Sequence, residues 1–263
     1  MFYFWRVGID LGLTGAVVLV TGGVRGVGAG ISRVFAGQGA TVVTCARHAP
    51  ETTVGEFRAC DVRDAGQVGS LISGIVTDHG RLDVVVNNAG GSPFAPAAEA
   101  SPRFHDKVVQ LNLLAPLLVA QQANAVMRRQ DTGGAIVMVS SVSGKRPSPG
   151  TAAYGAAKAG LDNLTASLAV EWAPKVRVNA LDVGMVCTEQ AHPHYGSEAA
   201  VAAVGKTVPL GRLADPDDVG WCAAFLASGL ASYVSGATLL VHGGGEMPAF
   251  HAATDVNYSQ EDP

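Results

Sequence analysis

Residues 16–28 read AVVLVTGGVRGVG, an apolar and largely β-branched run followed at once by a glycine-rich turn. The run predicts a buried strand at 16–21 and the residues after the turn predict a helix at 26–38. Glycines suit such a turn because they accept positive φ and let backbone amides approach an anion. The N-terminus of the helix adds unpaired N–H groups and a partial positive charge. The segment is therefore a candidate phosphate-binding turn, although its glycines could also serve the turn alone.

The rest of the chain alternates short apolar runs with longer amphipathic ones. Strands are predicted at 41–45, 56–60, 82–87, 135–140, 176–181 and 237–241, and helices at 64–79, 104–130, 151–172 and 217–227. Strands that are apolar on both faces and separated by helices indicate a parallel sheet covered on both sides. We expect one doubly wound, Rossmann-type α/β domain over 1–263, with about seven strands, a core at 11–245 and terminal extensions at 1–10 and 250–263. Too few residues separate the second and third strands for a full crossover helix, so 46–57 is predicted to be a loop with at most one helical turn.

Composition excludes several classes of protein. A net charge of −4 is too small to suggest nucleic acid or an anionic membrane as a partner. Arg6 and Asp10 interrupt the apolar N-terminus, so neither a signal peptide nor a membrane span is expected. The four scattered cysteines form no CxxC pair, which indicates reduced core thiols, a cytoplasmic protein and no metal site. Charged residues make up only 15% of the chain against 48% hydrophobic residues, and this favours self-association.

A second polar motif, Asn87-Asn88-Ala89-Gly90, follows the fourth predicted strand. Ligands bind at the carboxyl ends of parallel strands in such sheets. An Asn there could simply end the strand and shape the turn. Its expected place beside the glycine turn makes a binding role the stronger interpretation.

A third motif combines Ser140 and Ser141, at the end of a strand, with Tyr154 and Lys158 on the following helix. Positions i and i+4 share a helix face, so the phenol and the ammonium can lie together. A free phenol has a pKa of about 10, and a neighbouring cation lowers it toward a usable acid/base. A serine within reach could hydrogen-bond the oxygen whose charge changes in the reaction. The alternative is an ordinary buried tyrosine beside a lysine that reaches to solvent.

Together, Thr21-x₃-Gly26-x-Gly28, Asn87-Asn88-Ala89-Gly90, Asn112 and Ser141-x₁₂-Tyr154-x₃-Lys158 resemble the single-domain short-chain dehydrogenases/reductases. The resemblance runs from about residue 11 to residue 245. It implies an NAD(P)(H)-dependent enzyme that interconverts a ketone and a secondary alcohol by hydride transfer. It also implies a homodimer or homotetramer, with contacts from the two long helices and residues 233–243.

The resemblance assigns roles by position. Tyr154 would be the acid/base, Ser141 would polarise the reacting oxygen, Lys158 would hold the nicotinamide ribose and lower the pKa of Tyr154, and Asn112 would anchor a proton-relaying water. Only the family spacing separates Ser141 from Ser140. The implied cofactor contacts are Gly22, Arg25, Gly26, Val27, Gly28, Arg47, Asp61, Val62, Asn88, Ala89, Gly90, Tyr154, Lys158, Gly184, Val186 and Thr188. By the same resemblance, Asp61 and Val62 would flank the adenine and Asn88 would lie near the adenosine ribose. Val183 stands where the family usually has proline, so this loop lacks the rigidity that a proline would give it.

The choice between NAD and NADP depends on charge after the second strand. An acid there would hold the ribose hydroxyls, whereas a base accommodates a 2′-phosphate. This chain has Ala46 followed by Arg47, with a further base at Arg25. Because the planar guanidinium can donate two bonds to a phosphate, NADP(H) is favoured. The alternative is that Arg47 is a solvated loop residue.

Residues 184–212 contain Gly, Ala and several polar residues, as a lid over a small-molecule substrate would. Residues 91–98, with the sequence GSPFAPAA, supply a partly apolar wall. We expect an apolar ketone or alcohol, whether steroid-like, a polyketide or a 3-oxoacyl thioester. Two alternatives stay open, an enoyl-thioester reductase and a non-catalytic dinucleotide-binding sensor or scaffold. Enoyl-thioester reductases usually space Tyr and Lys further apart than here.

Overall fold

The computed structural model describes residues 10–189, 195–248, 250 and 253. Seven parallel strands form one sheet in the order β3-β2-β1-β4-β5-β6-β7, which confirms the doubly wound α/β fold. The strands are β1 (Val17–Thr21), β2 (Thr41–Ala46), β3 (Glu56–Ala59), β4 (Val84–Asn87), β5 (Gly134–Ser141), β6 (Val176–Val183) and β7 (Thr238–Val241). The helices are α1 (Gly26–Gly37), α2 (Ala65–His79), α3 (Pro102–Val109), α4 (Ala115–Met127), α5 (Ala152–Trp172), α6 (Glu198–Gly205) and α7 (Pro216–Ala227).

Side chains alternate across the sheet and bury both of its faces. On one face, Val18 and Val20 of β1 pack with Ile31 and Phe35 of α1 and with α7. On the other face, Leu19 packs in a second cluster with α2, α4 and α5. The two layers hold the carboxyl ends of β1, β4, β5 and β6 side by side, so the predicted motifs meet at one edge.

The single helix predicted at 104–130 is wrong in one respect. Helix α3 ends at Val109, a π-helical turn covers Gln110–Leu114, and α4 continues from Ala115. The Asn112 side chain donates a hydrogen bond to the Val108 carbonyl (2.9 Å) and competes with the regular helical bond there. Such π turns occur mostly as single insertions and often mark functional sites.

Other expectations have mixed outcomes. Residues 47–55 form a loop without helix, as predicted. The lid region, by contrast, includes α6, which the sequence pattern did not suggest. Cys45 and Cys60 are buried, but Cys187 is exposed and Cys222 is half-buried, so the prediction of four core thiols is wrong for those two. Within the described part of the chain, no helix has the length and apolar character that a membrane crossing requires. The aromatic N-terminus lies outside the described residues.

Candidate active site

The glycine turn has the close backbone approach that the sequence suggested. Gly22 and Gly26 have φ of +64° and +50°, which L side chains rarely adopt. A Cβ on Gly28 would lie 2.2 Å from the Gly22 carbonyl oxygen and 2.5 Å from Asn88 Nδ2. The turn therefore leaves no room for side chains along its inner wall, and α1 starts directly behind it.

Thr21 ties this turn to the end of β4, a role that sequence reasoning missed. Its Oγ1 accepts hydrogen bonds from the backbone N–H groups of Asn88 and Ala89, both at 3.0 Å. The Asn88 side chain donates in return to the carbonyls of Thr21 (2.9 Å) and Gly22 (3.1 Å). The Asn88 amide is thus engaged in holding the turn, and its predicted contact with an adenosine ribose stays a prediction. The signal was available in the sequence, since Thr21 ends the first strand directly before the glycines.

Two cations lie near the carboxyl ends of β1 and β2, since Arg25 belongs to the glycine turn and Arg47 directly follows β2. Arg25 and Arg47 are both exposed, and neither side chain has a hydrogen bond or ion pair among the described residues. The Asp61 carboxylate is bound by Arg63, with Nη2 2.6 Å from Oδ2, and this bond lowers the pKa of Asp61 to about 2 with a small contribution from Arg47. Val62, predicted to flank an adenine, is 7% exposed and packs in the core.

Ser141 and Tyr154 come together at the carboxyl end of β5. Burial raises the pKa of Tyr154, and a hydrogen bond with Ser141 partly opposes this. Ser140 instead donates from Oγ to the Lys158 backbone carbonyl at 3.2 Å. The structure therefore separates two neighbouring serines that the local sequence left equivalent, and only Ser141 is beside the phenol.

Lys158 lies on the same face of α5, one turn after Tyr154, and is 3% exposed. Its Nζ donates to the Val139 carbonyl oxygen (2.7 Å) and is 5.6 Å from the centroid of the Tyr154 ring. Burial lowers the pKa of Lys158 to about 8, against the opposing charges of Asp162 and Asp182. The ammonium is directed at Val139 and burial of the phenol dominates the pKa of Tyr154, so the lowering of that pKa by Lys158 stays a prediction.

Asn112 is completely buried in the π turn. Its amide exchanges two hydrogen bonds with the Gly91 backbone, accepting from N–H at 2.8 Å and donating to the carbonyl at 2.9 Å. A Cβ on Gly90 would lie 2.7 Å from Asn112 Oδ1 and 3.5 Å from Lys158 Nζ. Asn112 thus holds the loop after β4, in which Gly90 lies close to both Asn112 and Lys158, and its role as a water anchor stays a prediction.

The start of the lid region lies over the glycine turn. Gly184 continues from β6, and Val186 forms a parallel bridge with Ala214. A Cβ on Gly26 would lie 3.5 Å from Thr188 Cγ2. The Glu189 carboxylate accepts from the Gly26 N–H, at 2.9 Å to Oε1 and 3.2 Å to Oε2, a contact that the sequence gave no reason to expect.

The residues present fit a nicotinamide dinucleotide. The turn has the close-packed glycine wall that a pyrophosphate requires, and α1 has no side-chain cap at its N-terminus. An anionic group, the Glu189 carboxylate, already binds a backbone amide of this turn. Across the edge of the sheet lie a phenol, a serine hydroxyl and a buried ammonium. Fold and site together define a doubly wound oxidoreductase of the nicotinamide-dependent class.

Comparison with known proteins identifies the family. Residues 22–246 match the family model described as enoyl-(acyl carrier protein) reductase. The D-threitol dehydrogenase of Mycolicibacterium smegmatis is 34% identical, covering 90% of this chain and 95% of that protein. Dehydrogenase/reductase SDR family member 4 of Pongo abelii is 33% identical, with 88% of each chain covered. The ligand-free aldohexose dehydrogenase of Thermoplasma acidophilum superposes with a TM-score of 0.86 at 28% identity, covering 96% of this chain and all of that one.

The chain belongs to the short-chain dehydrogenase/reductase family. It is accordingly an oxidoreductase that acts on CH–OH or C=O groups with a nicotinamide dinucleotide.

Proposed function

We propose that the protein interconverts a ketone and a secondary alcohol through Tyr154, Ser141 and Lys158. The observation that carries this proposal is the distance of 5.6 Å from Lys158 Nζ to the centroid of the Tyr154 ring, together with the interaction of Ser141 with the Tyr154 hydroxyl. In the reductive direction the phenol donates a proton to the carbonyl oxygen, and in the oxidative direction it takes the proton of the alcohol. A bound nicotinamide dinucleotide supplies or accepts the hydride.

Each of the other residues has a defined task in this scheme. Ser141 donates a hydrogen bond to the reacting oxygen, where negative charge develops. The Lys158 ammonium binds the ribose next to the nicotinamide and offsets the charge of the phenolate. Asn112 holds the loop after β4 through Gly91 and anchors the water that exchanges the proton with solvent. Gly184, Val186 and Thr188 close the nicotinamide end of the cleft.

The favoured cofactor is NADP(H). Arg47 and Arg25 support this, because both are exposed and have no partner among the described residues that would withhold them from a phosphate. Ala46 precedes Arg47 where an acidic residue would repel a 2′-phosphate. The charge of Arg47 acts on Asp61, but the Asp61 carboxylate already forms an ion pair with Arg63.

The substrate proposal is an apolar ketone or alcohol. Phe94 supports it, since its ring is 72% exposed and lies against Gly150, where an added Cβ would come within 2.0 Å of the ring. The backbones of the two loops are joined by a hydrogen bond from Ala95 N–H to the Gly150 carbonyl (2.8 Å). This apolar wall stands just before α5, and therefore close to Tyr154.

A second candidate is a polyhydroxylated substrate. Arg146, five residues after Ser141, forms an ion pair with Glu246 from the C-terminal segment, and both charges act on Tyr195 of the lid region. Such a cluster suits hydroxyl groups better than a hydrocarbon. The relatives named as D-threitol and aldohexose dehydrogenases support the same candidate.

A substrate panel tests both candidates and the alternatives. Dinucleotide absorbance at 340 nm is followed with apolar ketones, polyols, aldoses and an enoyl thioester, using wild-type protein and Tyr154→Phe. The proposal predicts turnover of a ketone or alcohol by wild type, and a loss of about 10³-fold or more in Tyr154→Phe with dinucleotide affinity nearly unchanged. Turnover of the enoyl thioester alone would indicate the reductase alternative. Full turnover by Tyr154→Phe would reject the assigned acid.

We also propose a homodimer or homotetramer in the cytoplasm. Apolar side chains on α5 and around β7 support self-association, with Val170 81% exposed, Tyr233 fully exposed and Leu240 half exposed. The outer edge of β7 carries no further strand of the described sheet. Light scattering at micromolar concentration should give a multiple of 26.8 kDa, and a monomeric mass would contradict the proposal.

A further inference from the structure

Three charged residues, Asp162, Asp182 and Lys145, form a cluster close to Lys158. Asp182 of β6 is fully buried, and the Asp162 side chain on α5 is 9% exposed. Within the described residues, none of the four oxygens of these two carboxylates has a hydrogen-bond partner. Lys145 Nζ is 3.0 Å from Asp162 Oδ2 and 3.3 Å from Asp182 Oδ2, with the geometry of an ion pair rather than of an aligned hydrogen bond.

The fold brings this cluster next to the catalytic lysine by three routes. Asp162 follows Lys158 by one helical turn and so shares its face of α5. Asp182 pairs in register with Ser140, whose hydroxyl is bound to the Lys158 carbonyl. Lys145 follows Gly144, which packs so closely on α5 that a Cβ would come within 2.7 Å of the Ala159 nitrogen. Two strands and one helix thus fix the cluster independently.

A buried charge is stable only when opposite charges or hydrogen bonds compensate for its lost hydration, and Lys158 has no direct charged partner among the described residues. Its ammonium donates a hydrogen bond to the uncharged Val139 carbonyl. Desolvation disfavours an ammonium in such a place by a large free energy. The titratable groups facing it are Tyr154 and Asp162 on α5, Asp182 on β6 and Lys145 after β5. Of these, only the two carboxylates favour its charged form at neutral pH.

We propose that Asp162 and Asp182 are positioning residues that keep the buried ammonium of Lys158 charged, and that Lys145 balances the second carboxylate. The proposal rests on the role proposed for Lys158 and extends the catalytic set with three residues that touch neither substrate nor dinucleotide. Burial together with the Asp162 charge raises the pKa of Asp182 to about 6, so the Asp182 carboxylate is still ionised at neutral pH.

The test is a direct titration of Lys158. The protein is labelled with [¹³Cε]lysine, and the Cε chemical shifts are followed with pH. The chain has five lysines, Lys107, Lys145, Lys158, Lys175 and Lys206, and the Lys158 signal is assigned by its loss in Lys158→Arg. Wild type should show a Lys158 midpoint near pH 8. Asp182→Asn and Asp162→Asn should each move it to lower pH, by about 0.5–1 pH unit.

The sign of the shift separates charge from structure. A variant that merely loosened the packing would hydrate Lys158 and move its midpoint upward, toward that of an exposed lysine. An unchanged or raised midpoint in both Asp→Asn variants would therefore overturn the proposal, and either variant alone suffices if the other does not fold. Asp217→Asn, an exposed carboxylate paired with Arg33 on the far side of the sheet, is the control and should change nothing. The titration needs neither dinucleotide nor turnover. The positioning role of the two carboxylates can therefore be rejected while the proposed function stands, and the proposed function can be rejected while the positioning role stands.

Discussion

The two halves of the dinucleotide cleft are built in opposite ways. In the half around β1 and β4, hydrogen bonds of the neutral side chains of Thr21 and Asn88 hold the backbone in place. Two arginines of this half are exposed at the surface. The half around β5, α5 and β6 is held by buried charges, with Lys158, Asp162 and Asp182 removed from water. The first construction suits binding of an anion that brings its own charge. The second suits proton transfer, in which a charge must be stabilised at a fixed point.

The largest effect on dinucleotide binding is expected from a side chain added to the glycine turn, in the half around β1 and β4. In Gly28→Ala, the new Cβ overlaps the Gly22 carbonyl oxygen and the Asn88 amide, so the turn must open. Dinucleotide affinity should fall by about 100-fold or more, with a loss of about 1–3 kcal/mol in the free energy of unfolding. Fluorescence titration and denaturant unfolding measure the two quantities.

Gly37→Ala is the matched control, because it lies on the same helix with nothing within 4 Å of the added Cβ. It should keep its dinucleotide affinity and gain up to about 1 kcal/mol in stability. Equal affinity in the two variants would show that the turn does not contact the dinucleotide.

A smaller and selective effect is expected at the surface of the same half. Arg47→Ala should weaken NADPH binding by about tenfold and change NADH binding by less than about twofold, because only the former carries the 2′-phosphate. Arg33→Ala removes another exposed guanidinium, one paired with Asp217, and should affect neither dinucleotide. An equal loss for both dinucleotides in Arg47→Ala, or no loss for either, would contradict the NADP preference.

The smallest effect concerns the lid residue bound to the turn. The Glu189 carboxylate occupies the Gly26 amide and adds negative charge where the pyrophosphate is expected. Glu189→Gln keeps an acceptor and removes the charge, so both dinucleotides should bind about threefold more tightly at low salt, with a smaller gain at high salt. Glu198→Gln, at the start of α6, is the control. Unchanged or weaker binding in Glu189→Gln would mean that the contact does not oppose the dinucleotide.

The two halves also differ in how far the sequence predicts them. The glycine turn, the Asn88 loop and the spacing of Ser141, Tyr154 and Lys158 are local patterns, and the strand order follows from the alternation of strands and helices. The pairing of Lys145 with Asp182 is not local, because it depends on the register of β5 against β6. For this charged cluster, the one local sequence signal was Asp162, which follows Lys158 by four residues and so shares its face of the helix. The contact between Glu189 and Gly26 joins residues 163 positions apart, and no sequence pattern predicts it.

The most direct test follows the hydride itself. Wild-type protein is given a dinucleotide deuterated at the reactive nicotinamide carbon, together with a ketone that the panel has identified, and the product is examined by mass spectrometry. The account predicts deuterium on the new carbinol carbon, formed by wild type and reduced by about 10³-fold in Tyr154→Phe. Product without deuterium at that carbon, or labelled product formed as fast by Tyr154→Phe, would contradict it.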